Sequence, residues 1–106
     1  MAFKSTLTAG IGTSETAITD TVSAGTTHTL IGVSIANVTT GNITADVILN
    51  KNGGSSAYMV KGAIVPVGGA LVVVGGDQKL VIEEGDDVGV VSSAAASIDT
   101  VVSYLV

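Results

Sequence analysis

Between Val65 and Ser93 the chain reads VPVGGALVVVGGDQKLVIEEGDDVGVVSS. Aliphatic runs at Leu71–Val74, Leu80–Ile82 and Val88–Val91 are separated by Gly68-Gly69, Gly75-Gly76-Asp77 and Glu84-Gly85-Asp86-Asp87. Each run is too short for a helix. Val and Ile lose side-chain freedom in a helix but pack well on a pleated surface. Glycine supplies the positive φ of tight turns, and aspartate bonds its own following backbone. The stretch predicts three successive antiparallel strands, and the rest of the chain repeats its grammar.

Ala2–Thr8 predicts a first strand with Phe3 and Leu7 on one face, and Ala9-Gly10-Ile11-Gly12-Thr13 predicts a turn. Glu15–Val22 alternates and reads as a strand with threonines outward, followed by a turn at Ser23-Ala24-Gly25. Thr27–Val38 predicts the strongest strand of the first half, with Ile31, Val33 and Ile35 on one face and Leu30 and Ala36 on the other. Apolar residues on both faces predict a central strand, or a face covered by a neighbouring subunit. A hairpin connection at Thr39-Thr40-Gly41-Asn42 leads into Ile43–Asn50. There Ile43, Ala45, Val47 and Leu49 point inward and Thr44, Asp46 and Asn50 outward.

Lys51–Ser56 is the most polar loop and predicts an exposed tip. Ala57–Val65 is another strand, ending at the single proline, Pro66, where a missing N–H disturbs no ladder. Ile98–Val106 runs apolar to its last residue, which predicts pairing inside a sheet or an interface. Ser93–Ser97 has helical propensity but too few residues to nucleate a helix. The fold class is therefore all-β: one antiparallel β-sandwich domain over residues 1–106, jelly-roll-like, with about eight short strands.

With one Phe, two Tyr, no Trp and no Cys, the core has to be filled by Val, Ile, Leu and Ala, without disulfides. Such a thin core predicts a domain that gains from assembly, where a partner buries a second apolar face. The net charge is −5, and the only basic residues are four lysines. Without arginine there is no bidentate fork for phosphate, so nucleic acid is not an expected partner. No apolar run approaches the roughly 20 residues of a membrane helix, so no membrane partner is expected either. The opening MAFKSTLTAG has no apolar h-region, and no secretory leader is expected.

The search for chemistry finds little. His28 is the single histidine, flanked by Thr27 and Thr29, and reads as an exposed strand residue rather than a catalytic base. No G-x-S-x-G elbow occurs. Gly75-Gly76-Asp77 and Gly10-Ile11-Gly12 lack the Gly-Lys-Ser/Thr and helix that a phosphate loop requires. The acids Glu83, Glu84, Asp86 and Asp87 are candidate cation ligands, since calcium takes carboxylate oxygens. The EF-hand pattern is absent, and a turn rich in Asp and Gly needs no metal to explain it. The expectation is no catalytic residue, no cofactor and no enzyme.

Two segments, TVSAGTTHTLIGVSIANVTTGNITADVIL from Thr21 and VPVGGALVVVGGDQKLVIEEGDDVGVVSS from Val65, resemble the small virion structural proteins of tailed bacteriophages. In those proteins a strand pair of the form sAGtt.tligv.iaN precedes a pvggal.l..gqkLvle.GD.v.v.ss segment. The resemblance covers roughly Thr21 to Ser93. It implies a β-sandwich subunit of a virion; the small single domain without a long coiled coil or repeat favours a capsid decoration, or cement, protein, expected as a homotrimer bound to the major capsid protein where capsomers meet. A neck, tail or fibre component is the alternative within that class. A carbohydrate-binding module is the alternative outside it, set against the few aromatics that could stack on sugar, Phe3, Tyr58 and Tyr104.

Overall fold

The computed structural model describes residues 2–106, and every regular element among them is a strand. In chain order these are β1 (Phe3–Ile11), β2 (Thr16–Ala17), β3 (Thr27–Asn37), β4 (Ile43–Asn50), β5 (Ser56–Val65), β6 (Ala70–Val74), β7 (Leu80–Glu83), β8 (Asp87–Ser92) and β9 (Ile98–Leu105). All pairings are antiparallel. The first sheet has the order β1-β9-β3-β6, with β7 also on β3, and the second has the order β2-β8-β4-β5.

β6 pairs with Val33–Ala36 and β7 with Thr27–Leu30, so the two lie end to end along one side of β3. They are halves of a single edge strand broken at 75–79. Counted as one, they leave eight strands in the order of a jelly roll. The three successive antiparallel strands expected between Leu71 and Val91 are thus corrected. Two of them continue each other, and β8 crosses to the second sheet between β4 and β2. Alternation specifies which face a residue takes, not which strand lies beside it.

The hairpin expected at Thr39-Thr40-Gly41-Asn42 is likewise an arch between sheets, since β3 and β4 belong to different ones. Asn37, buried at the end of β3, shapes it. Its side-chain N–H groups donate to the carbonyls of Gly41 (2.8 Å) and Val65 (2.9 Å). Its oxygen accepts from the N–H and the hydroxyl of Thr39 (2.9 and 2.7 Å). Nothing in the residue pattern distinguishes this cross-over from a hairpin.

β1 runs on to Ile11, into the turn expected at Ala9–Thr13, with a register shift between Thr8 and Ile11 where Gly10 takes φ +69°. The Gly10 N–H donates to the Asp99 carboxylate (2.9 Å) rather than to the ladder. The strand expected over Glu15–Val22 shrinks to Thr16–Ala17, although Ile18 and Val22 are buried as plugs of the core. Ser93–Ser97 is a turn, not a helix.

Leu30, Val33, Ile35, Ile82, Ile98 and Val102 of the first sheet meet Val47, Val65, Val88 and Val90 of the second in one apolar cluster. Fully burying each such side chain contributes about 1.5–3 kcal/mol. A shift in the pairing of β3 with β9 between Leu30 and Gly32 changes the parity of β3. Leu30 therefore shares the inward face with Val33 and Ile35, contrary to the expected face assignment. The alternation expected in β4 holds for Ile43, Ala45 and Val47, all buried.

Candidate functional site

The acidic turn between β7 and β8 was the one cluster that the residue types singled out. Its four carboxylates do not converge. Asp86 turns inward and is 5% exposed, Glu83 is exposed but lies 3.6 Å from the Lys51 ammonium, Glu84 is exposed and Asp87 is half-buried. The Asp86 carboxylate accepts from the Lys51 ammonium (2.5 Å), the Asn52 N–H (2.8 Å) and the Glu83 N–H (2.9 Å). These donors, Lys51 first, hold its pKa down at about 2. Asp87 accepts from the Asn50 amide (2.9 Å).

Asp86 thus ties the 51–52 corner to the β7–β8 turn. Lys51, Asn52, Thr27, Glu83 and Glu84 line an open depression of about 510 Å³ beside it. Among the described residues no group of three or more His, Cys, Asp or Glu is placed to hold a metal ion.

His28 is not the exposed strand residue that its threonine neighbours suggest; it is 7% exposed. Alternation with the outward Thr27 and Thr29 puts it on the inward face with Leu30. Its ring stacks on Tyr104, centroids 4.7 Å apart and planes 21° from parallel, and its buried Nδ1 meets no hydrogen-bond partner. The Tyr104 hydroxyl donates to the Asp20 carboxylate, and this bond, with burial, pushes the phenol up to about 12. The trio closes one end of the core with an aromatic stack and a tethered loop.

A second organised feature is the outer face of the first sheet. Residues directly opposite in a ladder share a face, so the registers define rows across four strand positions. One row is Phe3, Leu105, Thr29, Val81. A second is Leu7, Val101, Ser34, Val72. Between them lie Ser5, Ser103 and Gly32.

Phe3 (77% exposed), Leu7 (72%) and Val72 (67%) stand open to solvent, and Val81 and Val101 are about half exposed. No ionisable side chain occurs in the three rows. The shared face expected for Phe3 and Leu7 is this outward one. β3 is central, as predicted, but with Leu30 turned inward its outer face presents Thr29, Gly32 and Ser34 rather than apolar side chains, and the chain leaves that face bare.

The outer face of the second sheet has the opposite chemistry. Asp46 pairs with Lys61 (3.5 Å) and accepts from the Gly62 N–H (2.7 Å), where β5 bulges at φ +66°. Lys61 also lies 4.6 Å from the centre of the Tyr58 ring. Asn50 donates to Glu15 (2.7 Å), whose side chain lies across Gly89.

Cross-strand rows were out of reach of the sequence because they depend on register. Their one trace was the shared face expected for Phe3 and Leu7. No protein-family model, no curated protein and no solved structure matches this chain.

Proposed function

We propose that this chain is a structural subunit that works by assembly, and specifically a virion protein of a tailed bacteriophage. In this reading it is a capsid decoration protein that stabilises the head by binding between capsid subunits. The observation that carries the assembly reading is the outer face of the first sheet, with two exposed apolar rows and no ionisable group in either. A chain with 12% charged residues and such a face loses little by desolvation when a protein surface covers it. The phage assignment is supported by the resemblance over Thr21–Ser93. The jelly roll serves viral capsid and lectin domains alike, so the architecture does not select between them.

The carbohydrate-binding alternative needs an open aromatic platform. The exposed Tyr58 ring instead has the Lys61 ammonium against it, and Phe3 belongs to the apolar rows. With four lysines and no arginine, packaged DNA is not the partner. The contacts are apolar and edge-strand contacts to the major capsid protein and to further copies of the chain, in a charge-poor shell.

Quantitative mass spectrometry of purified source virions tests this reading. A copy number comparable to that of the major capsid protein is expected. A few copies per particle moves the protein to the neck, tail or fibres, and its absence from the particle overturns the virion assignment.

A further inference from the structure

We infer that the outer face of the first sheet is covered by the same face of a second copy of this chain, related by a two-fold axis. The inference rests on the reading of the chain as an assembly subunit, not on the particle to which it belongs. Its ground is the order of the rows. Along the strands the face runs apolar (Phe3, Leu105, Val81), then small (Ser5, Ser103, Gly32), then apolar (Leu7, Val101, Val72). This order reads the same in both directions.

A two-fold axis lying in the plane of contact either runs along the strands or crosses them. Along the strands, each row meets its own copy. Across them, the two apolar rows exchange. In both cases apolar meets apolar, and the serine and glycine row faces itself, where small side chains let the sheets approach. A face of this kind is self-complementary, as an isologous contact requires. A three-fold ring, such as the homotrimer expected of a decoration protein, needs two different patches that fit each other. Two sheets stacked with strands nearly aligned are also an ordinary packing arrangement.

Charge favours the same face. A copy with a net charge of −5 repels its twin, so the contact has to lie where the acids are not. The three rows hold none; on the same face Glu83 and Asp99 stand one row beyond the Phe3 and Leu7 rows, so acids flank the patch without entering it, whereas Asp46 and Asp87 lie within the outer face of the second sheet, with Glu15 across it. The size is sufficient but small. Four strand positions about 4.8 Å apart, and rows four residues apart at about 3.4 Å each, give a patch roughly 20 Å on a side. Two such patches bury roughly 800 Å² in total, in the size class of weak, transient contacts, so the pair is expected to form only at micromolar concentrations or above.

Sedimentation velocity on the whole chain tests this, over a range from about 1 µM to a few hundred µM that brackets such an affinity. Three proteins are compared: wild type, Leu7→Lys and Ile64→Lys. Leu7 is 72% exposed on the first sheet and Ile64 71% exposed on the second, so neither substitution removes a core contact. Circular dichroism confirms that each variant is folded.

The expected result is a wild-type shift from the 10.4 kDa monomer to twice that mass. Ile64→Lys follows the wild type, and Leu7→Lys stays monomeric to concentrations at least about tenfold higher, as expected when a charge enters an apolar contact. A wild-type monomer throughout, a trimer, or a Leu7→Lys protein that dimerises like the wild type overturns the inference. These outcomes are independent of the virion count. A monomer abundant in virions defeats only the two-fold pair, and a dimer absent from virions defeats only the phage assignment.

Discussion

Asp86 illustrates how much one side chain organises in a domain with few charges. Its carboxylate collects Lys51 and two backbone N–H groups, joining corners 35 residues apart in sequence. The pKa lies near 2 in the fold against 3.8 for a free side chain. A depressed carboxylate stabilises the fold above the unfolded value, and that contribution is lost as pH falls through the folded one. Wild-type thermal stability should therefore drop between about pH 4 and pH 2, with Asp86→Asn less stable at neutral pH and flatter across that window. Thermal melts from pH 7 to pH 2 check this, and parallel curves for the two proteins would contradict it. The residue types marked Glu83–Asp87 as a turn, but not which acid faces inward. Asp86 is distinguished by Lys51 and Asn52, which only the fold brings to it. His28 was misread because threonine neighbours suggest exposure, whereas alternation with the outward Thr27 and Thr29 turns it inward.

At the scale of elements, the strands were legible and their neighbours were not. β4, β5 and β9 lie within a residue or two of where alternation and turn residues put them, since those signals are local. Pairing is not local. The glycines at Gly75-Gly76 look like a hairpin turn but interrupt one edge strand, and the 38–42 segment looks like a hairpin but bridges the sheets. Asn37 holds that bridge through bonds to Gly41, Val65 and Thr39. Asn37→Ala leaves the Val65 carbonyl without this donor and should cost roughly 2–3 kcal/mol. In a domain of this size that lowers the Tm by on the order of 10–20 °C. Urea denaturation measures the loss directly, and a change below about 0.5 kcal/mol, the scale of an ordinary surface substitution, would mean that the arch does not depend on this side chain.

At the scale of the molecule, the two sheets share one core but present unlike outer surfaces. The second sheet carries an ion pair and a capped tyrosine, while the first carries apolar rows that the folded chain leaves uncovered. The composition pointed to assembly through its low charge and thin core. The apolar rows of the first sheet emerged only when the registers aligned Leu7 with Val101 and Val72 across the sheet. The central claim is that this face is the working surface, and the absence of cysteine makes it directly measurable, because an introduced thiol is the only one present. The decisive measurement is the rate of maleimide labelling of Val101→Cys on the first sheet and Ile64→Cys on the second, at about 10 nM and about 100 µM protein, below and above a micromolar dissociation constant. The account predicts that Val101→Cys is labelled severalfold more slowly at the higher concentration while Ile64→Cys is unaffected. Equal rates for Val101→Cys at both concentrations would contradict it.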